Sequence, residues 1–438
     1  MSARSLVVIG GGLAGTEAAY QIASRGLPVQ LYEMRPQRQT PAHQTDLLGE
    51  LVCSNSLKAD TLASGHGLLK AELRQLGSLV LQAADASRVP AGAALAVDRG
   101  QFAQYLTTTI RNHPNITLVR EEVVELPAGQ IVIVATGPLT SPALTAHLQG
   151  RLGSQQLYFY DALSPIVAAD SIAVSKTFLA SRYDIGDGAD YLNCPLDRAT
   201  YEQFCTALVA AECVKPHAFE PEIFFEGCLP IEEMARRGPQ TLAFGPLKPV
   251  GLRRADMPTL HAVVQLRLEN TMRSAYNMVG FQTRLTYAEQ RRVFRMIPGL
   301  EQAEFLRLGA VHRNTFLNAP RLLLPTLQSR HAPTLLFAGQ ITGVEGYMES
   351  AATGLLAGLN AVALHCGTPL LVPPPTTAHG ALVRYIAMAP PETFQPMNIH
   401  FGLLPPLDTP TYPKKARRAA LIARALADLQ AWQDSVRL

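Results

Sequence analysis

Residues Ser5 to Glu33 constrain this chain more than any other stretch. Four apolar, β-prone residues, Leu6 to Ile9, run straight into Gly10, Gly12 and Gly15, spaced as G-x-G-x-x-G. A helix is expected next, over Thr16 to Arg25, with Gly26 as its C′ residue. A second strand, Val29 to Tyr32, then delivers Glu33. The first glycine permits a tight turn, the second admits a pyrophosphate to the backbone, and the third lets helix and strand pack closely. Phosphates would sit at the positive end of that helix, and Glu33 would accept from ribose hydroxyls. Strand, glycines, helix, strand and acid in this order predict a dinucleotide site.

Two later segments favour FAD over NAD. Ile131-Val-Ile-Val-Ala-Thr-Gly137 reads as a buried return strand, and Thr334 to Ser350 as a third strand with a glycine-rich turn. The Ala-, Leu- and Gly-rich run Ser350 to Leu364 is expected to be the helix that completes the nucleotide fold. The fold class is therefore α/β, a Rossmann-like FAD-binding domain of the glutathione-reductase type carrying an inserted α+β domain. The expected boundaries are 1–180 for the first part of the FAD domain and 181–324 for the insert. The second part, 325–438, would end in a helix over Lys414 to Trp432. Further helices are expected over Thr200 to Glu212 and Thr286 to Met296, the latter with Thr286 and Glu289 as a capping box.

At 438 residues, two domains are the natural solution. A hydrophobic content of 47% with 17% charged residues describes a folded protein, not a disordered one. No uncharged apolar window approaches membrane-spanning length, so a cytoplasmic protein is expected. Six cysteines without a C-x-x-C pair argue against zinc and against a disulfide framework, and no metal site is expected. The net charge of +3 is unevenly spread. Between Phe225 and Arg330, 15 Lys and Arg stand against 8 Asp and Glu. Lys414, Lys415, Arg417, Arg418 and Arg424 occur with no acid between Asp408 and Asp428. Either region suits a polyanion, or simply a solvated face.

Four motifs together carry a resemblance. They are the glycine loop, Leu51-Val-Cys-Ser-Asn-Ser-Leu-Lys58, Phe225-Glu-Gly-Cys-Leu-Pro-Ile-Glu-Glu-Met-Ala-Arg-Arg-Gly238, and Phe337-Ala-Gly-Gln-Ile-Thr-Gly-Val-Glu-Gly-Tyr-Met-Glu-Ser-Ala-Ala352. The chain resembles the folate- and FAD-dependent tRNA (uracil-5-)-methyltransferases, the TrmFO family, and is related to the longer GidA flavoproteins. Gly339-Gln340 stands where many FAD enzymes carry Gly-Asp.

The resemblance implies methylation of C5 of the T-loop uridine of tRNA. 5,10-Methylenetetrahydrofolate would be the carbon donor, and FAD reduced by NADH or NADPH the carrier and reductant. By resemblance Cys228 is the thiol that adds to uracil C6, and Cys53 assists near the flavin. Arg236 and Arg237, eight and nine residues beyond Cys228, would favour its thiolate or hold phosphate. Cofactor contacts are expected from Gly10, Gly11, Gly12, Leu13, Ala14, Gly15, Glu33, Asn55, Gly137, Gly339, Gln340, Gly346 and Tyr347. Phosphate contacts to tRNA are expected from Arg253, Arg254, Arg284, Arg291 and Arg292, with Arg267 and Arg273 in the same basic region. Cys194, Cys205, Cys213 and Cys366 are read as structural. The partners are tRNA and folate, with no membrane and no obligate protein partner. A GidA-type wobble-uridine enzyme and a small-molecule FAD oxidoreductase are the alternatives.

Overall fold

Strand Leu6–Ile9 lies at the centre of a five-stranded sheet whose order is Leu335–Phe337, Ile131–Val134, Leu6–Ile9, Val29–Tyr32, Ile116–Val119. Every pairing is parallel, with Ile9 level with both Tyr32 and Val134. Leu6–Ile9 and Ile131–Val134 are buried along their whole length, because helices cover both faces of a parallel sheet. The computed structural model describes residues 5–152, 156–214, 229–252, 260–408 and 413–436.

The glycine-loop helix is Leu13–Ala23, three residues earlier than expected at its start, because Gly12 already caps it. It packs against Tyr347–Cys366, the helix after the Gly339 turn. The two backbones come close enough that a Cβ on Gly354 would lie 2.3 Å from the Ala14 carbonyl oxygen, and one on Gly358 would lie 2.8 Å from that of Ala18. Chain segments more than 300 residues apart thus form one nucleotide fold.

A second, antiparallel sheet runs Phe178–Ala180, Tyr191–Leu196, Ala262–Leu268, Ala275–Met278, Ile166–Ala168, Phe305–Arg307. Its separate core holds Phe204, Phe281 and Phe294, with Phe281 and Phe294 edge to face at 5.3 Å. The sheet begins at Ile166, ahead of the boundary expected at 181. Strands of three residues carry too little periodicity to be read from sequence. An antiparallel ribbon, Gln156–Ala162 with Val311–Leu317, carries the chain out to this sheet and back.

The helix expected over Thr200 to Glu212 spans Arg198–Ala210, started by an Asp197 carboxylate that accepts from Thr200 N at 2.7 Å. Thr286 caps Tyr287–Phe294 as expected, accepting from Glu289 N. The last described helix, Lys414–Val436, buries Leu421, Ala425 and Leu429. Among the described residues, no helix is long and apolar enough to cross a membrane.

Candidate functional site

The glycine loop opens a cavity of about 1050 Å³, part of it open to solvent. Its three glycines have three different reasons to lack a side chain. Gly10 has φ +107°, and a Cβ there would lie 2.5 Å from the Ala135 carbonyl oxygen. A Cβ on Gly15 would sit 1.7 Å from the Gly10 carbonyl oxygen. Gly12 is the opposite case, with nothing within 4 Å of where a Cβ would be, and it borders the cavity. The first-turn amides of Leu13, Ala14 and Gly15 have no carbonyl within their own helix to bind and so suit an anion.

Glu33 also lines the cavity. One carboxylate oxygen accepts from Gly11 N at 3.0 Å and Arg35 Nη2 at 3.2 Å; the other accepts from Arg35 N and Nε, both at 3.0 Å. Four bonds fill the carboxylate's acceptor positions. Ribose recognition, the role expected for Glu33, therefore requires one of them to be exchanged. Burial alone would raise this carboxyl, but the hydrogen bonds and charge of Arg35 outweigh it and hold it below the usual glutamate value. At the far end, Gly137, Gly339, Gln340 and Tyr347 close the cavity. Gly346, with φ +121°, does not line it but caps the helix that Tyr347 begins.

Beside Tyr347 stands the turn that carries Cys53. Its main chain is held from several directions. The Tyr347 hydroxyl accepts from Cys53 N at 2.9 Å and Ser54 N at 3.2 Å. Arg99 donates to the Leu51 carbonyl at 2.6 Å and the Cys53 carbonyl at 3.4 Å, and Arg307 donates to the latter at 3.2 Å. Arg267 reaches Ser54 Oγ at 2.7 Å and Asn55 Oδ1 at 2.9 Å. Glu269 pairs with Arg99. Burial, with neighbouring Arg99 adding to it, pulls Arg307 down to about 10. Burial, reinforced by Cys53, pushes the Tyr347 phenol up, so it stays protonated. The thiol itself is partly buried and lies 3.8 Å from the Ala162 carbonyl oxygen.

The matching family model, described as glucose inhibited division protein A, covers residues 5–369. Over 435 residues the chain is 58% identical to the methylenetetrahydrofolate–tRNA-(uracil-5-)-methyltransferase TrmFO of Geobacter sulfurreducens, spanning 99% of both chains. It is also 58% identical to the TrmFO of Geotalea uraniireducens, over 100% of both chains. The chain belongs to the TrmFO family. GidA of Aquifex aeolicus shares its fold, with a TM-score of 0.72 at 17% identity, over 98% of this chain and 73% of that one.

Several TrmFO site expectations fare differently in the structure. Asn55 is wholly buried and does not line the cavity. It donates to the carbonyls of Val97, in strand Ala94–Val97, and Leu268, in the antiparallel sheet, and accepts from Arg267, tying these two strands together. Arg284 is 8% exposed and paired with Glu233, so it is no free phosphate contact. Arg292 is exposed but paired with Glu289, and Arg267 is buried beneath the Cys53 turn. Arg291 and Arg273 are exposed, as a phosphate contact requires. Arg236 binds Glu233 and lies 3.4 Å from Cys213 Sγ, whose thiol burial still pushes up. Cys194 and Cys205 are buried as expected, whereas Cys366 is exposed. Cys228, Arg253 and Arg254 lie outside the described residues. Sequence reasoning missed Arg99 and Arg307, since nothing in an isolated arginine shows that its guanidinium reaches a main-chain carbonyl far along the chain.

Proposed function

We propose that this chain methylates C5 of the T-loop uridine, position 54, of tRNA in the cytoplasm. 5,10-Methylenetetrahydrofolate is the carbon donor, and FAD the bound cofactor. The observation that carries the reading is full-length identity of 58% to TrmFO methyltransferases, in a chain whose cavity runs from Glu33 to Gly339. The residues present fit FAD: the open face of Gly12 and the helix amides suit the pyrophosphate, and Gly339 and Gln340 line the same cavity. When bound and reduced by NADH or NADPH, the flavin supplies the electrons of the reaction.

The chain's own part is thiol chemistry and positioning. Uracil C5 is a poor nucleophile until a group adds to C6. The Cys228 thiolate adds there, placing an enolate-like electron pair at C5, and leaves again once C5 has gained its carbon and lost its proton. Cys53, one residue from the cavity-lining Val52, stands on a turn held in one position and is suited to take that proton. The target base must leave its stack to meet these groups.

The test incubates purified yellow protein with unmodified tRNA, methylenetetrahydrofolate and NADH, then digests the tRNA and analyses its nucleosides. Formation of 5-methyluridine by wild type and its loss in Cys228→Ala is the expected result. FAD-bound protein that oxidises NADH yet forms no 5-methyluridine overturns the reading in favour of a small-molecule oxidoreductase.

A further inference from the structure

We propose that the exposed basic face at the start of helix Lys414–Val436 contacts the phosphates of the tRNA substrate. This inference rests on the methyltransferase reading and adds to it a surface on the FAD domain, not the inserted one.

Lys415, Arg417 and Arg418 are exposed, and no acid occurs between Asp408 and Asp428. Among the described residues none of the three has an ion pair. Asp428, the next acid, accepts from Thr376 Oγ1 at 2.5 Å. Three arginines of the insert behave differently: Arg236 and Arg284 share Glu233, and Arg292 has Glu289. Cations at the positive end of a helix oppose its dipole. A cluster there, with no acid to answer it, suits an anion supplied from outside.

The opposite side of the same helix decides what kind of anion. Leu421, Ala425 and Leu429 are buried against the FAD domain, so no apolar face is left to enter a bilayer. The helix is firmly seated as well. Arg424 donates to the Pro405 and Pro406 carbonyls at 2.5 and 2.8 Å, and Gln75 donates to Gln430 and Gln433. A fixed row of cations matches a nucleic-acid backbone.

The position links this face to the cavity. The Arg418 guanidinium lies 5.7 Å from the centre of the Phe401 ring. Two residues before Phe401, Ile399 N donates to Glu349 at 3.0 Å, and Glu349 stands in the first turn of the helix begun by Tyr347. The basic face is thus joined through the 399–401 segment to the end of the cavity where Tyr347 and Gln340 lie.

The test measures binding of unmodified tRNA to full-length, FAD-bound protein across a salt series. In Lys415→Gln/Arg417→Gln/Arg418→Gln the slope of log affinity against log salt falls by about 2 to 3, and affinity drops by about tenfold or more at low salt. The KM for tRNA rises in step. FAD content equal to wild type checks the fold. The single variant Arg417→Gln, a side chain without hydrogen bond or ion pair among the described residues, lowers the slope by about 1. Arg198→Gln, from a surface pair with Glu202, changes affinity less than twofold. A triple variant with the wild-type slope overturns the proposal. So does one that loses binding to phosphatidylserine vesicles while keeping its hold on tRNA. Wild type that binds tRNA but forms no 5-methyluridine refutes the methyltransferase reading and leaves the surface intact.

Discussion

The two ends of the cavity are built in different ways. At the glycine loop most constraints are local: Gly12 and Gly15 need only their own turn and helix, while Gly10 also meets the Ala135 carbonyl just beyond strand Ile131–Val134. At the Cys53 turn the restraints come from Arg99, Arg267, Arg307 and Tyr347, which stand 46 to 294 positions away from the groups they bind. A tight turn and a helix start can be properties of one short segment. The Cys53 turn, held by groups on two helices and on the antiparallel sheet, depends on all of them being in place.

Glycine substitutions break the comparison most sharply. Gly15→Ala drives a methyl into the Gly10 carbonyl and is expected to leave little folded, flavin-bearing protein, read as the ratio of 450 to 280 nm absorbance. Gly12→Ala meets no protein atom, so its apoprotein should unfold at the wild-type temperature while its FAD affinity falls. Equal damage from both would remove the distinction between close packing and cofactor room.

Arg284→Gln should cost more stability than its place in a basic region suggests. Breaking a fully buried pair costs about 3–5 kcal/mol; Glu233 is partly exposed and keeps Arg236, so the loss should fall below that range. Urea unfolding measures the loss. Tyr347→Phe removes the acceptor shared by two amides of the Cys53 turn, at about 1–3 kcal/mol for an unsatisfied buried group. Stability equal to wild type would mean that the far end of the cavity is held without long-range help.

Acid should act through His379. Burial pulls its pKa from 6.5 to about 4, so the folded state keeps it neutral. Its contribution is complete above about 6.5, where both states are neutral. It is lost as pH falls toward 4, because the unfolded chain takes up the proton first. A pH series of unfolding midpoints should decline over that window, and His379→Phe should flatten the decline. Smallest of all, Arg292→Gln removes a surface pair worth less than about 1 kcal/mol and should barely shift the midpoint.

Legibility followed the same division. The strands Leu6–Ile9 and Ile131–Val134 stand where hydrophobic runs and glycines put them, because a buried parallel strand writes a continuous apolar run into the chain. The family motifs pointed to Cys53, and the structure sets it beside Tyr347. Asn55 looked like a residue facing the cofactor because a polar run resembles a loop. Its amide instead joins the carbonyls of Val97 and Leu268, 42 and 213 positions away. Arg284 and Arg292 looked available because counting charges along a sequence cannot show which acid stands beside each one.

By itself, the sequence determined the FAD cradle and the family. The cradle rests largely on short-range geometry: the missing Cβ of Gly15, the first-turn amides of a helix and the acid at the end of a strand act through residues nearby in the chain. Only the tertiary structure decided which arginines are paired, that Asn55 is a buried tie, and that the Cys53 turn is held by two helices and the antiparallel sheet. Coulomb attraction and hydrogen bonding act over a few ångströms of space, and the fold alone determines which distant residues come that close.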